Sequence, residues 1–153
     1  MRASEKISAG SGSAGESAFS RWIVMAVLGL SGAVIYLLPF LREIYYDPLR
    51  AALNLTHSQS GVLMATFGFT SMLAYVPGGW IADRVSSRIL ISGSLISTGL
   101  LGFLFATFPS YPVAIIIHAL WGVTVTGMMW GALIKATRDW APGAEQGKAF
   151  GML

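Results

Sequence analysis

The chain has 153 residues, of which 54% are hydrophobic and only 11% are charged, with a net charge of +3. Soluble domains carry roughly 25% charged residues, so this composition excludes a water-soluble globular domain. The basic residues lie at the ends of apolar segments and not along one face, which argues against a nucleic-acid partner. Cysteine is absent, which excludes disulfides and thiolate metal sites.

Residues 1–20 are small and polar, with a Ser/Gly/Ala-rich stretch at their centre. Such a segment cannot bury enough apolar area to offset its ordering entropy, so we expect a disordered cytosolic tail. A cleaved signal peptide is the rival interpretation. The apolar segment that follows is longer than a signal core, and Pro39 to Arg42 offers no small-x-small cleavage site.

Long windows without Asp, Glu, Lys or Arg follow the tail, and the last of them is broken by the two prolines of Phe108 to Pro112. A membrane span needs about 20 largely apolar residues, and these runs lack the alternation of a barrel strand. The predicted fold class is therefore all-α, a polytopic transmembrane helical bundle in which residues 21–153 form one unit. We expect four helices and the start of a fifth, at about 22–41, 58–82, 89–108, 112–136 and 145–153.

The basic residues also predict the orientation of the chain. If the N-terminus is cytosolic, the outer segments hold only Arg42 and Arg50, and the other Lys and Arg residues are inside. This bias follows the positive-inside rule and predicts a multi-pass protein of the inner (cytoplasmic) membrane.

Two sets of small residues predict close helix packing. Gly61, Ala65 and Gly68 share one face of the second predicted helix. In the fourth predicted helix, Gly127 and Gly131 form a GxxxG match.

The turn between the second and third predicted helices carries the most specific pattern in the chain. Gly79, Asp83, Arg84 and Arg88 occur in the order Gly-x-x-x-Asp-Arg-x-x-x-Arg. This order resembles the Gly-x-x-x-Asp-Arg-x-Gly-x-Arg loop of major facilitator superfamily transporters, with Ser86 in place of the second Gly. The resemblance implies a latch that holds the cytosolic side shut in one state. The alternative is a basic turn that only sets topology.

The family resemblance implies a fold of twelve helices in two six-helix halves. The chain is accordingly interpreted as the N-terminal fragment of a secondary transporter that moves a small solute by alternating access. Residues 130–151 are similar to bacterial members near the sugar-phosphate and nitrate permeases, which suggests an organic anion or sugar phosphate as solute. Membrane lipid and the missing remainder of the same transporter are the other expected partners.

Candidate residues for a substrate or proton path lie in the first and fourth predicted helices. In the fourth, Trp121, Thr124 and Lys135 fall on one stripe, which is either a cavity wall or packing with Lys135 reaching the inner interface. His118 stands where the family often has an Arg, whose role is not carried over. An ionisable group within a span is a functional candidate, and the alternative is a neutral His hydrogen-bonded to a neighbouring helix. Tyr36 in the first predicted helix is either a hydrogen-bond partner of the substrate or a belt or packing residue.

No Walker A loop, zinc-ligand spacing or catalytic set is present, so we expect no enzyme activity, no cofactor and no metal.

Two alternatives to a transporter fragment remain. One is a complete four-helix exporter of the small multidrug type, although the membrane-embedded Glu of those proteins is missing from residues 22–40. The other is a non-transporting membrane scaffold.

Overall fold

The structure, a computed structural model, describes residues 22–141 and 143–152. All regular elements in these ranges are helical. The predicted tail at residues 1–20 and the last residue of the predicted fifth helix lie outside the described residues. The helices are α1 (Trp22–Ile35), α2 (Leu41–Ile44), α3 (Tyr46–Ala52), α4 (His57–Arg84), α5 (Ser87–Phe105), α6 (Tyr111–Trp121), α7 (Gly131–Trp140) and α8 (Gln146–Phe150).

One continuous helix, Tyr111–Trp140, contains α6, a π-helical stretch at Gly122–Trp130 (the π segment) and α7. We call it the fourth helix. Together with α4 and α5 it gives three helices long and apolar enough to cross a membrane, and α1 is a shorter apolar helix. The predicted all-α transmembrane bundle is confirmed.

Helix boundaries follow from local backbone chemistry. α1 ends at Ile35, before the predicted end, because Pro39 has no N–H to donate to the Ile35 carbonyl. α4 begins after a capping box, in which Thr56 Oγ1 accepts from the Gln59 N–H at 3.2 Å and Gln59 Oε1 accepts from the Thr56 N–H at 2.9 Å. Two extended residues, Val85 and Ser86, connect α4 to α5.

α4 and the fourth helix contact each other through glycine. A Cβ at Gly78 would overlap the backbone of Gly127, and a Cβ at Gly131 would lie 3.0 Å from Ala82 Cβ. The predicted GxxxG contact is therefore present. Among the described residues, a Cβ at Gly61 or Gly68 would meet no atom within 4 Å, so the close packing predicted for these two glycines is not made within this bundle. The packed face of α4 carries Ala74, Gly78 and Ala82 instead.

The interior of the bundle is built around the fourth helix. Its fully buried side chains include Ile117, Trp121, Val125, Met129 and Leu133. They pack in one cluster with residues of α4, of α5 and of the segment 42–56, which is predicted to lie outside the membrane and is here called the outer loop; among them are Leu55, Phe67 and Phe105. A second cluster of Ala82, Leu90 and Ala132 packs the end of α4 against α5 and the fourth helix.

Candidate functional site

The end of α4 carries the charged motif predicted as a latch. Asp83 is exposed on the last turn of the helix. The guanidinium of Arg84 lies 3.8 Å from the centroid of the Trp80 ring and donates to the Trp80 carbonyl at 3.2 Å. Stacking of this kind fixes a cation against an aromatic face. Arg84 is therefore held against its own helix and does not point freely into solvent.

Lys135 of α7 reaches across to the same helix end. Its Nζ donates to the carbonyl of Ala82 at 2.8 Å and to those of Asp83 and Val85 at 3.4 Å each. Carbonyls at a helix C-terminus lack partners within the helix and carry partial negative charge, so an ammonium there is favourable. Lys135 thus caps α4 and ties α7 to the predicted latch.

A groove of about 240 Å³ runs between α4 and the fourth helix beside this cap, and we call it the inner groove after the orientation predicted from the basic residues. Gly79 lies in it, and a Cβ there would meet no atom within 4 Å. The motif glycine is therefore open to the groove, whereas its neighbour Gly78 packs within the bundle. The residues that line the inner groove are Tyr75, Gly79, Ala82, Asp83, Thr126, Trp130, Gly131, Ile134, Lys135 and Arg138.

Arg88, the last member of the motif, lies apart from the inner groove. It lines a second groove of about 370 Å³ with Asp139 and Trp140 of α7 and Val24 and Leu28 of α1. The structure therefore brings Gly79, Asp83 and Lys135 together at one groove and places Arg88 at the next.

His118 is enclosed by aromatic rings near the outer end of the fourth helix. It is 2% exposed, and its Nδ1 donates to the Ala114 carbonyl at 2.8 Å. Its ring centroid lies 5.4 Å from that of Phe105 and 5.0 Å from that of Trp121, both in edge-on contact. Such edge-on contacts suit aromatic pairs in a packed interior.

Trp121 and Thr124 belong to a buried polar cluster with Ser94 and Thr98 of α5. Trp121 Nε1 donates to the Thr98 carbonyl at 3.2 Å, and the hydroxyls of Thr98 and Thr124 are 2.9 Å apart. Ser94 Oγ donates to the Thr124 carbonyl at 2.7 Å. The predicted stripe is thus divided: Trp121 and Thr124 face α5, and Lys135 faces the end of α4.

Tyr36 lies in the turn that follows α1. Its ring is half-buried and contacts Phe40 edge-on, with the centroids 6.0 Å apart. Phe40 in turn packs against Phe67 of α4. These contacts place Tyr36 in the packing around the outer loop.

Several residues of these sites were not singled out from the sequence. Thr126, Trp130 and Arg138 of the fourth helix line the inner groove. Thr126 and Trp130 are four residues apart and lie on one face, whereas Arg138, at i+12, is about 120° away by regular α-helical periodicity. That spacing is visible in the sequence, but so are other stripes on the same apolar helix. The glycine spacing of five and then four along Gly122, Gly127 and Gly131 signals the π segment.

The sequence model of the Major Facilitator Superfamily matches residues 17–153. The chain belongs to this family.

Similar proteins include the inner membrane protein YqcE of Escherichia coli, which is 36% identical over 90% of the chain and 32% of the relative. The probable anion transporter 7 of rice is 20% identical over 86% of the chain and 30% of the relative. The quinolone resistance protein NorA of Staphylococcus aureus is 28% identical over 86% of the chain and 31% of the relative. The chain spans about a third of the length of these relatives. No solved structure matches it.

Membership of the Major Facilitator Superfamily makes this chain a multi-pass inner-membrane protein of a transporter family. The predicted membership of the family is thereby confirmed. The roles of the individual residues remain predictions. Within the described ranges, no three His, Asp or Glu side chains are grouped closely enough to hold a metal ion.

Proposed function

We propose that the chain takes part in secondary active transport of a small solute by alternating access, as the first helices of an N-terminal half that works with the remainder of the same transporter. The observation that carries the proposal is the open face of α4 at Gly79 and Asp83, in a chain that belongs to this family. Lys135 caps the end of the same helix. In such transporters one half rocks against the other around a site near the middle of the membrane.

Asp83 acts as the latch in this proposal. Its carboxylate is exposed beside a glycine that leaves room for another helix. The N-terminus of a facing helix carries partial positive charge and free N–H donors, which a carboxylate accepts. Lys135 holds the end of α4 in place, so that Asp83 meets its partner in the closed state and loses it when the cytosolic side opens.

An organic anion or a sugar phosphate is the proposed solute class. Lys135 and Arg138 supply positive charge to the inner groove, and Tyr75 and Thr126 supply hydroxyls. The Arg138 guanidinium lies 3.7 Å from the Asp139 carboxylate, so the proposal relies mainly on the Lys135 ammonium as the cation that meets an anionic solute. The anion named for the rice relative agrees with this class.

The transport assay compares the 153-residue chain with the longest open reading frame that contains it. Both are purified, reconstituted into liposomes and offered sugar phosphates, organic anions and nitrate. We expect saturable uptake only from a protein that supplies both halves of the path, because four helices cannot form both walls. Saturable, counterflow-competent uptake by the 153-residue chain would refute the need for further helices.

Topology can be tested at the two ends of α5, since the chain has no native cysteine. We expect Thr107→Cys to react with a membrane-impermeant maleimide in intact cells and Ser87→Cys to react only after the cells are opened. Ser87 is half-buried and Thr107 is exposed, so the reaction of Ser87→Cys in opened cells is the control for its accessibility. Labelling of Ser87→Cys from outside would show that the orientation is reversed.

We propose a contribution of His118 to the pH dependence of uptake. In His118→Gln the pH profile of uptake is expected to flatten or shift, because the buried imidazole of the fourth helix is removed. His57→Gln is the control, since His57 lies on the outer surface, where Nδ1 pairs with the Tyr46 hydroxyl at 2.8 Å. Profiles that coincide for wild type and His118→Gln would leave His118 a packing residue.

A further inference from the structure

The fourth helix changes its spacing in the middle of the membrane. Gly122–Trp130 is π-helical, with α-helix on either side. A π-helix bonds each carbonyl to the N–H five residues on, so each turn holds more chain than an α-turn. Such stretches are rare and occur often at functional sites. The rotation of α7 relative to α6 therefore depends on how many residues keep π spacing.

The glycines that face α4 fit the π spacing. Gly122 and Gly127 are five residues apart, and a Cβ on either would press on α4, at Thr70 and Ala74 respectively. Residues five apart share a face in a π-helix, whereas an α-helix aligns residues three or four apart. Gly127 and Gly131 are four apart, and Gly131 begins α7. The close contact with α4 thus requires π spacing first and α spacing after it.

On the opposite side, α5 holds the backbone of the π segment through Ser94. The hydroxyl of Ser94 donates to the Thr124 carbonyl at 2.7 Å, and Ser94 is completely buried. The Thr98 hydroxyl adds a contact to the Thr124 hydroxyl at 2.9 Å. A polar bond inside an apolar span is kept because an unpaired carbonyl or hydroxyl there is costly.

We propose that the π segment sets the rotation of α7 and so places Lys135 on the end of α4, with Ser94 as the positioning residue that holds the π spacing. A return to α spacing turns α7 about its axis and carries Lys135 Nζ away from the carbonyls of Ala82, Asp83 and Val85. The consequence for transport rests on the proposed latch function of Asp83; the positioning itself does not.

A pair of cysteines can report the rotation directly. A Cβ at Gly131 lies 3.0 Å from Ala82 Cβ, close to the roughly 3.5–4.5 Å of a disulfide. Ala82→Cys combined with Gly131→Cys is therefore expected to cross-link rapidly under mild oxidation in membranes. The yield is read as loss of labelling by a polyethylene-glycol maleimide. Rotation of α7 separates the two positions and lowers the rate.

Two α5 variants in this background form the test. Ser94→Ala removes the bond to the Thr124 carbonyl, whereas Ser97→Ala removes a 2.6 Å bond from Ser97 Oγ to the Gly93 carbonyl of its own helix. We expect Ser94→Ala to slow cross-linking by about threefold to tenfold, as expected for one lost hydrogen bond. Ser97→Ala should leave the rate unchanged. Equal rates in the two variants would overturn the proposal.

Thr98→Val is the second variant, in case Ser94→Ala does not accumulate in the membrane. It removes the other α5 hydroxyl contact to Thr124 at nearly constant volume and is expected to slow cross-linking in the same direction. An unchanged rate in Thr98→Val would count against the proposal in that case. Because cross-linking needs no transport, normal uptake by Asp83→Asn would refute the latch and leave this result standing.

Discussion

Gly78→Ala is expected to reduce the amount of folded protein sharply, whereas Gly79→Ala leaves it close to wild type. A Cβ at Gly78 would overlap the carbonyl oxygen, the Cα and the carbonyl carbon of Gly127. Backbone atoms cannot move aside as a flexible side chain does. Overpacking of this kind costs about 1–3 kcal/mol. A Cβ at Gly79 meets nothing within 4 Å.

Thermal unfolding in mild detergent, followed by size-exclusion chromatography, measures the difference between the two alanine variants. They differ by one position on one helix, so propensity and hydrophobicity are matched. Equal melting temperatures for Gly78→Ala and Gly79→Ala would contradict the packing described for α4. If Gly79→Ala is stable but slow in uptake, the open face is needed by a partner outside the described bundle.

Asp83→Asn is expected to lower uptake by about tenfold at unchanged membrane abundance, because a bond to a charged acceptor is stronger than one to a neutral amide. Asn keeps the size of the side chain, removes the charge and replaces one acceptor oxygen with an NH2 donor. Asp83 is exposed, so its replacement should not disturb the packing of the bundle.

Asp47→Asn is the control for the loss of one negative charge. Asp47 lies in α3, on the side of the membrane opposite Asp83, and its carboxylate is 79% exposed and 3.8 Å from Arg50. We expect wild-type uptake in this variant. Wild-type uptake by Asp83→Asn itself would remove the latch from the proposal.

The spans could be predicted from the sequence because uncharged windows of this length have few alternatives. The helix faces could not. In a membrane helix nearly every face is apolar, so periodicity does not separate the packed side from the lipid side. Gly61, Ala65 and Gly68 share a helix face by periodicity, as Gly78 and Ala82 do. Only the position of the fourth helix shows which of the two sets is packed in this bundle.

The site was predicted in part for a similar reason. The charged motif at Gly79, Asp83 and Arg84 was visible because charges are rare in this chain. The partners of Lys135 could not be predicted from the sequence, because Lys135 donates to backbone carbonyls, which every residue type carries. The division of the predicted stripe between α5 and α4 also depends on the π segment, which breaks the regular periodicity assumed for an α-helix.

The length of α4 determines the surroundings of its last turn. Its 28 residues extend roughly 42 Å at 1.5 Å per residue, close to the thickness of a bilayer with its headgroup layers and beyond the hydrocarbon alone. Asp83 at its end therefore lies at the depth of the lipid headgroups. The dielectric constant there is between those of water and hydrocarbon, so a negative charge at this depth attracts a cationic partner over a longer distance than the same charge in bulk water.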